Sequence, residues 1–382
     1  MFRILITAIL TLVAVVSAQD SDNFFEKLKL QIHGNAAQGF LFSSSNNYLS
    51  TESSDGSGKW TDGSLSVGKS ITDKFRVGAQ AHSYSLGMLG RQNITLNWAY
   101  ADYKFNSHFG VRAGKVKTPF GLFNEVQDVD AVHQWALLPQ GMYPADTVAF
   151  SLAHSGGVIY GEAGSSKSAG TIQYQAWGGY RNQASRDGFN LTLAAQGISK
   201  GVGGGPAGGV DVRWKTPLEG FLLGGGYAKV DTTAPDANIS GYPLPVSVHY
   251  SQRRVMGQFE RGKVTLSAEW QVSPVYASTG SAPEAYTPVR SWYTMLSYRA
   301  HPKLTLGTYY SHSGYYLADQ KNPANYLKDV VVSSRYDFNR YFYAKLEGHY
   351  LDGNDGGFFA QVNPNGLQKT TRLLLARFGF AF

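Results

Sequence analysis

The 382-residue chain has no cysteine, so it can hold neither a disulfide framework nor a thiolate metal site. Charged residues are only 16% of the total. No run of 18 apolar residues occurs, which excludes helical membrane spans but not membrane-spanning strands, whose apolar residues fall at alternate positions. Catalytic and cofactor signatures are missing too. There is no HExxH, no Walker motif and no calcium loop, and Asp128-x-Asp130 alone is not a metal site. GGGPAG (203–208) matches G-x-G-x-x-G formally, but it contains a proline and leads into a strand rather than a helix. In AHSG (153–156), His154 and Ser155 are strand neighbours that point to opposite faces and cannot pair directly; SHSG (311–314) repeats the pattern. The expectation is a protein that is not an enzyme, with no cofactor, no metal and no catalytic residue.

What is abundant is glycine (44), tyrosine (24) and phenylalanine (21), a composition of many short strands and turns. The N-terminus, MFRILITAILTLVAVVSAQD, reads as a secretory signal peptide. Arg3 is its positive region, Ile4–Val16 its apolar core, and Val16-Ser17-Ala18 its small-residue cleavage site. Cleavage after Ala18 removes one base and no acid, lowering the formal charge from +7 to +6. That modest charge on an exported chain gives no reason to expect nucleic acid as a partner.

From residue 19 onward, alternating stretches of roughly ten residues are joined by short turns and long loops in strict alternation. The short turns are 71–75, 105–109, 165–170, 216–220, 261–263, 300–303 and 337–341. The long loops lie near 43–60, 84–92, 118–153, 181–208, 231–249, 274–289, 313–326 and 352–367. These fifteen connections join sixteen strands and leave both termini on the short-turn side. The predicted fold class is all-β: a transmembrane antiparallel barrel, one domain over 19–382, with short periplasmic turns and long external loops. A soluble sandwich would show the same apolar alternation, but its loops need not alternate in length. Aromatic residues add a second distinction. Phe75, Phe105, Phe109, Trp214, Phe221, Phe259, Tyr298, Phe338 and Phe342 flank the short turns, and Trp270, Trp292, Tyr310 and Tyr350 sit at the loop ends, as two interfacial girdles. The C-terminal RLLLARFGFAF is the closing strand, with Phe378, Phe380 and Phe382 toward lipid. Strands 1 to 3 expose small or aliphatic residues such as Gly34, Ala36, Leu65 and Ala79, and are the candidate subunit interface.

Sixteen strands make a barrel too wide for side chains to fill, so inward residues carry the function. Alternation places Arg76, Arg112, Arg213, Arg254, Arg335, Lys345 and Arg377 inward as pore-lining bases, hydrated by the lumen. The third loop, 118–153, is the longest connection and the least loop-like, with Phe120, Leu122, Phe123, Trp135, Leu137 and Leu138. Folded into the lumen, it would pack its apolar side on the wall and present Glu125, Asp128, Asp130 and Asp146 to water. Arg76 and Arg112 on the opposite wall would complete a transverse field, with selectivity set by bore and charge. The phase of Lys115 and Lys117 stays open: they either snorkel outward or a bulge turns them inward.

This architecture resembles the bacterial general porins. The stretch Arg112-x-Gly114-Lys115-x-Lys117-x-Pro119-x-Gly121, followed by Asn124-Glu125, resembles the strand-to-loop junction of porin-like families, including phosphate-selective porins. The resemblance implies a third loop that constricts the pore, a homotrimer, and a terminal Phe382 that the barrel-assembly machinery recognises. It places the protein in the outer membrane of a Gram-negative bacterium, among lipid and lipopolysaccharide. The function so expected is passive diffusion of small hydrophilic solutes and ions. The excess of inward bases gives a weak anion preference. A phosphate- or anion-selective porin is one alternative, although here inward bases are mixed with acids. A non-channel adhesin or structural barrel is the other. The outer-membrane phospholipase pattern His-x-Ser-Asn-Gly is absent.

Overall fold

The structure is a computed structural model, and it describes residues 30–166, 168–182, 187–200 and 203–382. The expected signal peptide, Leu28 and Lys29 lie outside the described residues. Sixteen long strands occur among those described. The first eight are β1 (Leu30–Ser43), β2 (Ser57–Ser70), β3 (Phe75–Leu86), β4 (Ile94–Lys104), β5 (Gly110–Lys117), β6 (Ala153–Ser166), β7 (Gly170–Asn182) and β8 (Gly204–Lys215). The rest are β9 (Phe221–Ala234), β10 (Val246–Arg261), β11 (Val264–Ser273, continued after Pro274 by Val275–Thr279), β12 (Val289–His301), β13 (Leu304–Tyr315), β14 (Tyr326–Asp337), β15 (Phe342–Gly353) and β16 (Thr370–Ala381). Each pairs antiparallel with its neighbours in sequence, and β16 returns to pair with β1 from Asn35↔Ala381 to Ser43↔Leu373. Closure leaves the barrel without an edge strand, so its backbone groups can pair between strands without water. No described helix is long and apolar enough to cross a membrane.

The short turns are closed by their own side chains. Thr72 Oγ1 accepts from Phe75 N–H at 3.0 Å, Asn106 Oδ1 from Phe109 N–H at 2.9 Å, and Asn339 Oδ1 from Phe342 N–H at 3.0 Å. One Asx- or ST-type turn therefore recurs at three connections, each delivering an aromatic residue to the start of the next strand. Aromatic residues meet in separate groups around the turn end. Phe105 lies 5.2 Å from Phe109, Phe221 4.7 Å from Phe259, Phe342 4.9 Å from Phe380, and Phe380 5.7 Å from Phe382. At the opposite end Trp270 pairs in register with Trp292, and Trp292 meets Tyr310 at 5.2 Å.

Phe382 extends the β16 pairing beyond the strand: its N–H donates to Gly34 O at 3.0 Å, and its carbonyl accepts from Gly34 N–H at 3.1 Å. Its ring covers the space a Cβ on Gly34 would need. Gly34 is thus the seat of the terminal phenylalanine, while Ala36, Leu65 and Ala79 keep the smooth outer face around it. Replacing Gly34 by Leu should reduce the fraction of folded, heat-modifiable barrel on semi-native gels far more than Ala36→Leu on the same face. Equal losses would mean that the ring seat contributes nothing specific.

Candidate functional site: the third loop and the inner wall

The loop between β5 and β6 is closed at its base. Thr118 N–H donates to Leu152 O at 2.8 Å, and Asn124 Nδ2 donates to Thr118 O at 2.8 Å. Pro119 stops the strand, and Gly121 turns the chain at φ +77° beneath Arg254, Tyr143 and Glu269, where a Cβ would collide. Two 3-10 turns follow, Asn124–Val126 and Asp130–Val132, then a helical turn at Val148–Ser151.

Apolar residues of the loop pack on inward residues of the wall. Trp135, Leu138, Met142 and Tyr143 join Tyr293, Met295, Tyr309 and Val331 in one buried cluster. Ala136 and Leu137 join Leu351, Leu373 and Leu375, together with Tyr48 and Leu49 of the first long loop. Phe120 sits among Val116, Val158, Trp177 and Val230 on the far wall. Each large side chain so buried contributes about 1.5–3 kcal/mol.

Hydrogen bonds fix the loop at three places. Toward β14–β16, Asp130 accepts from Lys345 Nζ at 2.9 Å and Tyr343 OH at 2.7 Å, and Arg377 Nε lies 3.2 Å from the same carboxylate. Glu347 accepts from the N–H groups of Ala136 at 2.7 Å and Leu137 at 3.1 Å. Arg335 donates to Ala131 O at 2.6 Å and His133 O at 2.7 Å. Toward β4 and β5, Asp128 takes Lys117 Nζ at 2.6 Å and Asn97 Nδ2 at 2.5 Å. Toward β8–β11, Asp211 accepts from Gly121 N–H at 3.0 Å, Arg213 donates to Gly121 O at 2.8 Å, and Glu269 accepts from Leu122 N–H at 2.6 Å. The loop therefore touches the wall on opposite sides of the lumen.

All seven candidate bases lie on the inward phase, but in different surroundings. Arg76 is exposed, with only Gln31 Oε1 at 3.4 Å, and Arg112 pairs with Asp102 at 3.0 Å while stacking on Tyr100. Arg213 and Arg335 are half-buried against the loop. The head groups of Arg254, Lys345 and Arg377 are buried beneath it, the Lys345 side chain fully. The picture of hydrated wall charges does not describe these three. Nor do the loop acids face Arg76 and Arg112. Asp128 and Asp130 are buried in the pairs just given, and Glu125 lies 3.9 Å from Arg213. Asp146 packs instead toward the fourth loop, where its carbonyl accepts from Gly188 N–H at 2.7 Å.

The phase of the two lysines is settled by Val116, which lies between them and is buried in the inner cluster. Lys115 is on the outer phase and donates to Leu96 O at 2.6 Å. Lys117 shares that phase but bends inward at the strand end to reach Asp128. The bulge is in β4 rather than β5: the register shifts between Gln80 and Ala81, and Asn97 turns inward to Gln80 and Asp128. Alternation puts Glu269 and Glu347 on the inward phase, but nothing in the sequence marks them, or Tyr143, as residues that fix the loop. The triplet Leu373-Leu374-Leu375, which breaks the polar–apolar alternation, was the available sign of an apolar inner wall.

No protein-family model and no curated protein matches this chain. Solved structures do. An anion-selective porin of Comamonas acidovorans superposes with TM-score 0.60 at 9% identity, covering 92% of this chain and 99% of that one. The outer membrane channel DcaP of Acinetobacter baumannii gives 0.58 at 11%, covering 92% and 97%. The outer membrane protein OmpT of Vibrio cholerae, in a trimer form, gives 0.58 at 11%, covering 92% and 99%. At these identities the likeness is one of fold: the chain has the sixteen-stranded barrel of outer-membrane porins.

Two measurements probe the clamp. Lys345→Met leaves the Asp130 carboxylate buried with one cation fewer and should lower stability by about 3–5 kcal/mol, whereas adding Asp130→Asn should recover part of the loss. Denaturant unfolding of barrels in vesicles reads both. A second test uses pH. Burial, and then the neighbouring Asp187, raise the Asp146 carboxyl to about 6. Protonation thus favours its packed position, which firms as pH falls through 6 toward the free value of about 3.9. His133 works oppositely. Burial first, then Lys345, hold it down at about 4, so its contribution is full above about 6.5 and fades as pH falls toward 4. Hydrogen exchange corrected for intrinsic rate should show Gly188 gaining protection from pH 7 to 5, and residues 131–135 losing it. Asp146→Asn should flatten the first trend.

Proposed function

We propose that the protein is an outer-membrane porin: a non-enzymatic channel for passive diffusion of small hydrophilic solutes and ions, with residues 118–153 as its constriction. The observation that carries this reading is a loop hydrogen-bonded to opposite sides of the inner wall of a closed sixteen-stranded barrel. Such a loop sets the bore, and the charges left unmatched beside it set the ionic preference. Asp128, Asp130, Glu125 and Asp102 are matched by Lys117, Lys345, Arg213 and Arg112. Among the described residues Arg76 has no carboxylate partner, which supports a weak anion preference. A dedicated phosphate channel would need a dense array of free arginine and lysine, and the pairing consumes most of those here.

The remaining assignments follow from the same reading. Residues 1–18 act as an export signal, and Phe382 as the mark read by the barrel-assembly machinery. The surrounding phase is outer-membrane lipid and lipopolysaccharide. The small and aliphatic outward residues Ala36, Leu65 and Ala79 of β1 to β3 fit a subunit contact in a homotrimer, in keeping with the trimer form of the Vibrio cholerae protein, while Phe40 and Phe42 project from β1 nearer its loop end. A non-conducting adhesin or structural barrel is the competing reading, favoured by how completely the loop engages the wall.

Planar-bilayer recording tests both. The purified barrel should insert in discrete steps of small conductance, with a reversal potential on the anion side. Arg76→Glu should move the anion-to-cation permeability ratio at least about two-fold toward cations. Silence from folded protein would overturn the channel and leave the structural barrel.

A further inference from the structure

A cavity of about 420 Å³ lies between the third loop and the wall of β7 and β9–β12. Its wall residues come from the loop ends of their strands: Arg181 near the end of β7, Tyr250 near the start of β10, Ser291 near the start of β12. Phe120 and Arg254 line it where the third loop meets the wall, so it opens on the external side of that contact. Met142, Phe150 and Phe189 make much of the remaining lining apolar.

Arg181 is the anomaly. It is 4% exposed, and its Nε has no hydrogen-bond partner. Its polar neighbour is the Tyr250 hydroxyl, and its guanidinium lies 5.3 Å from the Trp177 ring centre and 5.7 Å from that of Phe150. No carboxylate among the described residues lies within ion-pair distance of it. The undescribed residues of the adjoining loop, 183–186 and 201–202, contain no acid. The other cavity arginine differs: Arg254 has Gln271 Oε1 at 2.5 Å and Glu269 at 3.6 Å. The Ser291 hydroxyl, also lining the cavity, is buried without a partner as well. A buried cation held only by ring faces and a neutral hydroxyl is under-compensated, because desolvation of a charge outweighs cation–π contact.

We propose that this cavity binds an amphipathic monocarboxylate, an aromatic or short aliphatic acid. The carboxylate meets Arg181 and Tyr250, and the apolar body lies among Phe120, Met142 and Phe150. A buried cation supplies one charge-assisted contact and the apolar lining excludes a strongly hydrated anion, so an acid with an apolar body satisfies both features. The inference does not depend on conduction, since binding can be measured on a barrel that passes no current.

The test is calorimetric titration of the full-length barrel in detergent, with benzoate, benzyl alcohol and inorganic phosphate as separate probes. Benzoate should bind saturably, at least about ten-fold more tightly than either of the others. Arg181→Gln should abolish that preference. Val248→Phe, which fills the cavity without altering Arg181, should abolish benzoate binding and covers the case in which the arginine variant fails to fold. Equal binding of benzoate and benzyl alcohol, preference for phosphate, or unchanged benzoate binding in Val248→Phe would each overturn the proposal.

Discussion

One buried carboxylate organises the lumen. Asp130 stands at the middle of the third loop, out of water, and a charge in that position is tolerable only if it is matched at short range. Burial alone would raise its pKa. Arg377, Lys345 and the hydrogen bonds from Lys345 and Tyr343 bring it down to about 2 instead. The match works in both directions, because Lys345 and Arg377 would themselves be stranded on β15 and β16 without the loop. Loop and wall therefore hold each other, and the backbone that follows Asp130 is gripped as well, by Arg335 at Ala131 and His133 and by Glu347 at Ala136 and Leu137.

From that fixed point the rest of the loop has little freedom. Trp135 lies directly over Gly307, where any side chain on the wall would exclude it. Leu137, Leu138 and Tyr143 follow along β12–β16, and Phe120 and Gly121 reach β8, β10 and β11. Part of the lumen at the long-loop end of the barrel is thus packed interior, and several of the strands there are apolar on both faces. A barrel of this width leaves room that side chains cannot fill, and here part of it is filled by folding a loop inward. The cavity beside Arg181 is space that this packing leaves on the far side.

Much of the barrel was legible because strand length, turn chemistry and girdle aromatics are local properties. FNSHF and DFNRY announce tight turns by an asparagine that caps its own backbone, and all seven short turns fall where the spacing puts them. The inward phase of the bases was legible by the same period of two. Their partners were not, since pairing depends on where a 36-residue loop lands, and Asp130 meets Lys345 across 215 residues of sequence. Lys117 shows the limit of periodicity: its phase is outward, yet a long side chain at a strand end can turn to a carboxylate inside. Gly34 shows another, because its small size makes room for the terminal ring, a contact between the two ends of the described chain.

The lumen is shaped by a third loop held in a single place against the wall. The chain has no cysteine, so a pair introduced at Val132, exposed on the loop, and at Lys263, in the short turn between β10 and β11, can carry spin labels uniquely. Pulsed electron–electron distance measurement on the barrel in lipid vesicles should give one narrow distribution. A broad or multi-peaked distribution in the otherwise unaltered barrel would mean that the loop is not clamped, and would contradict the account.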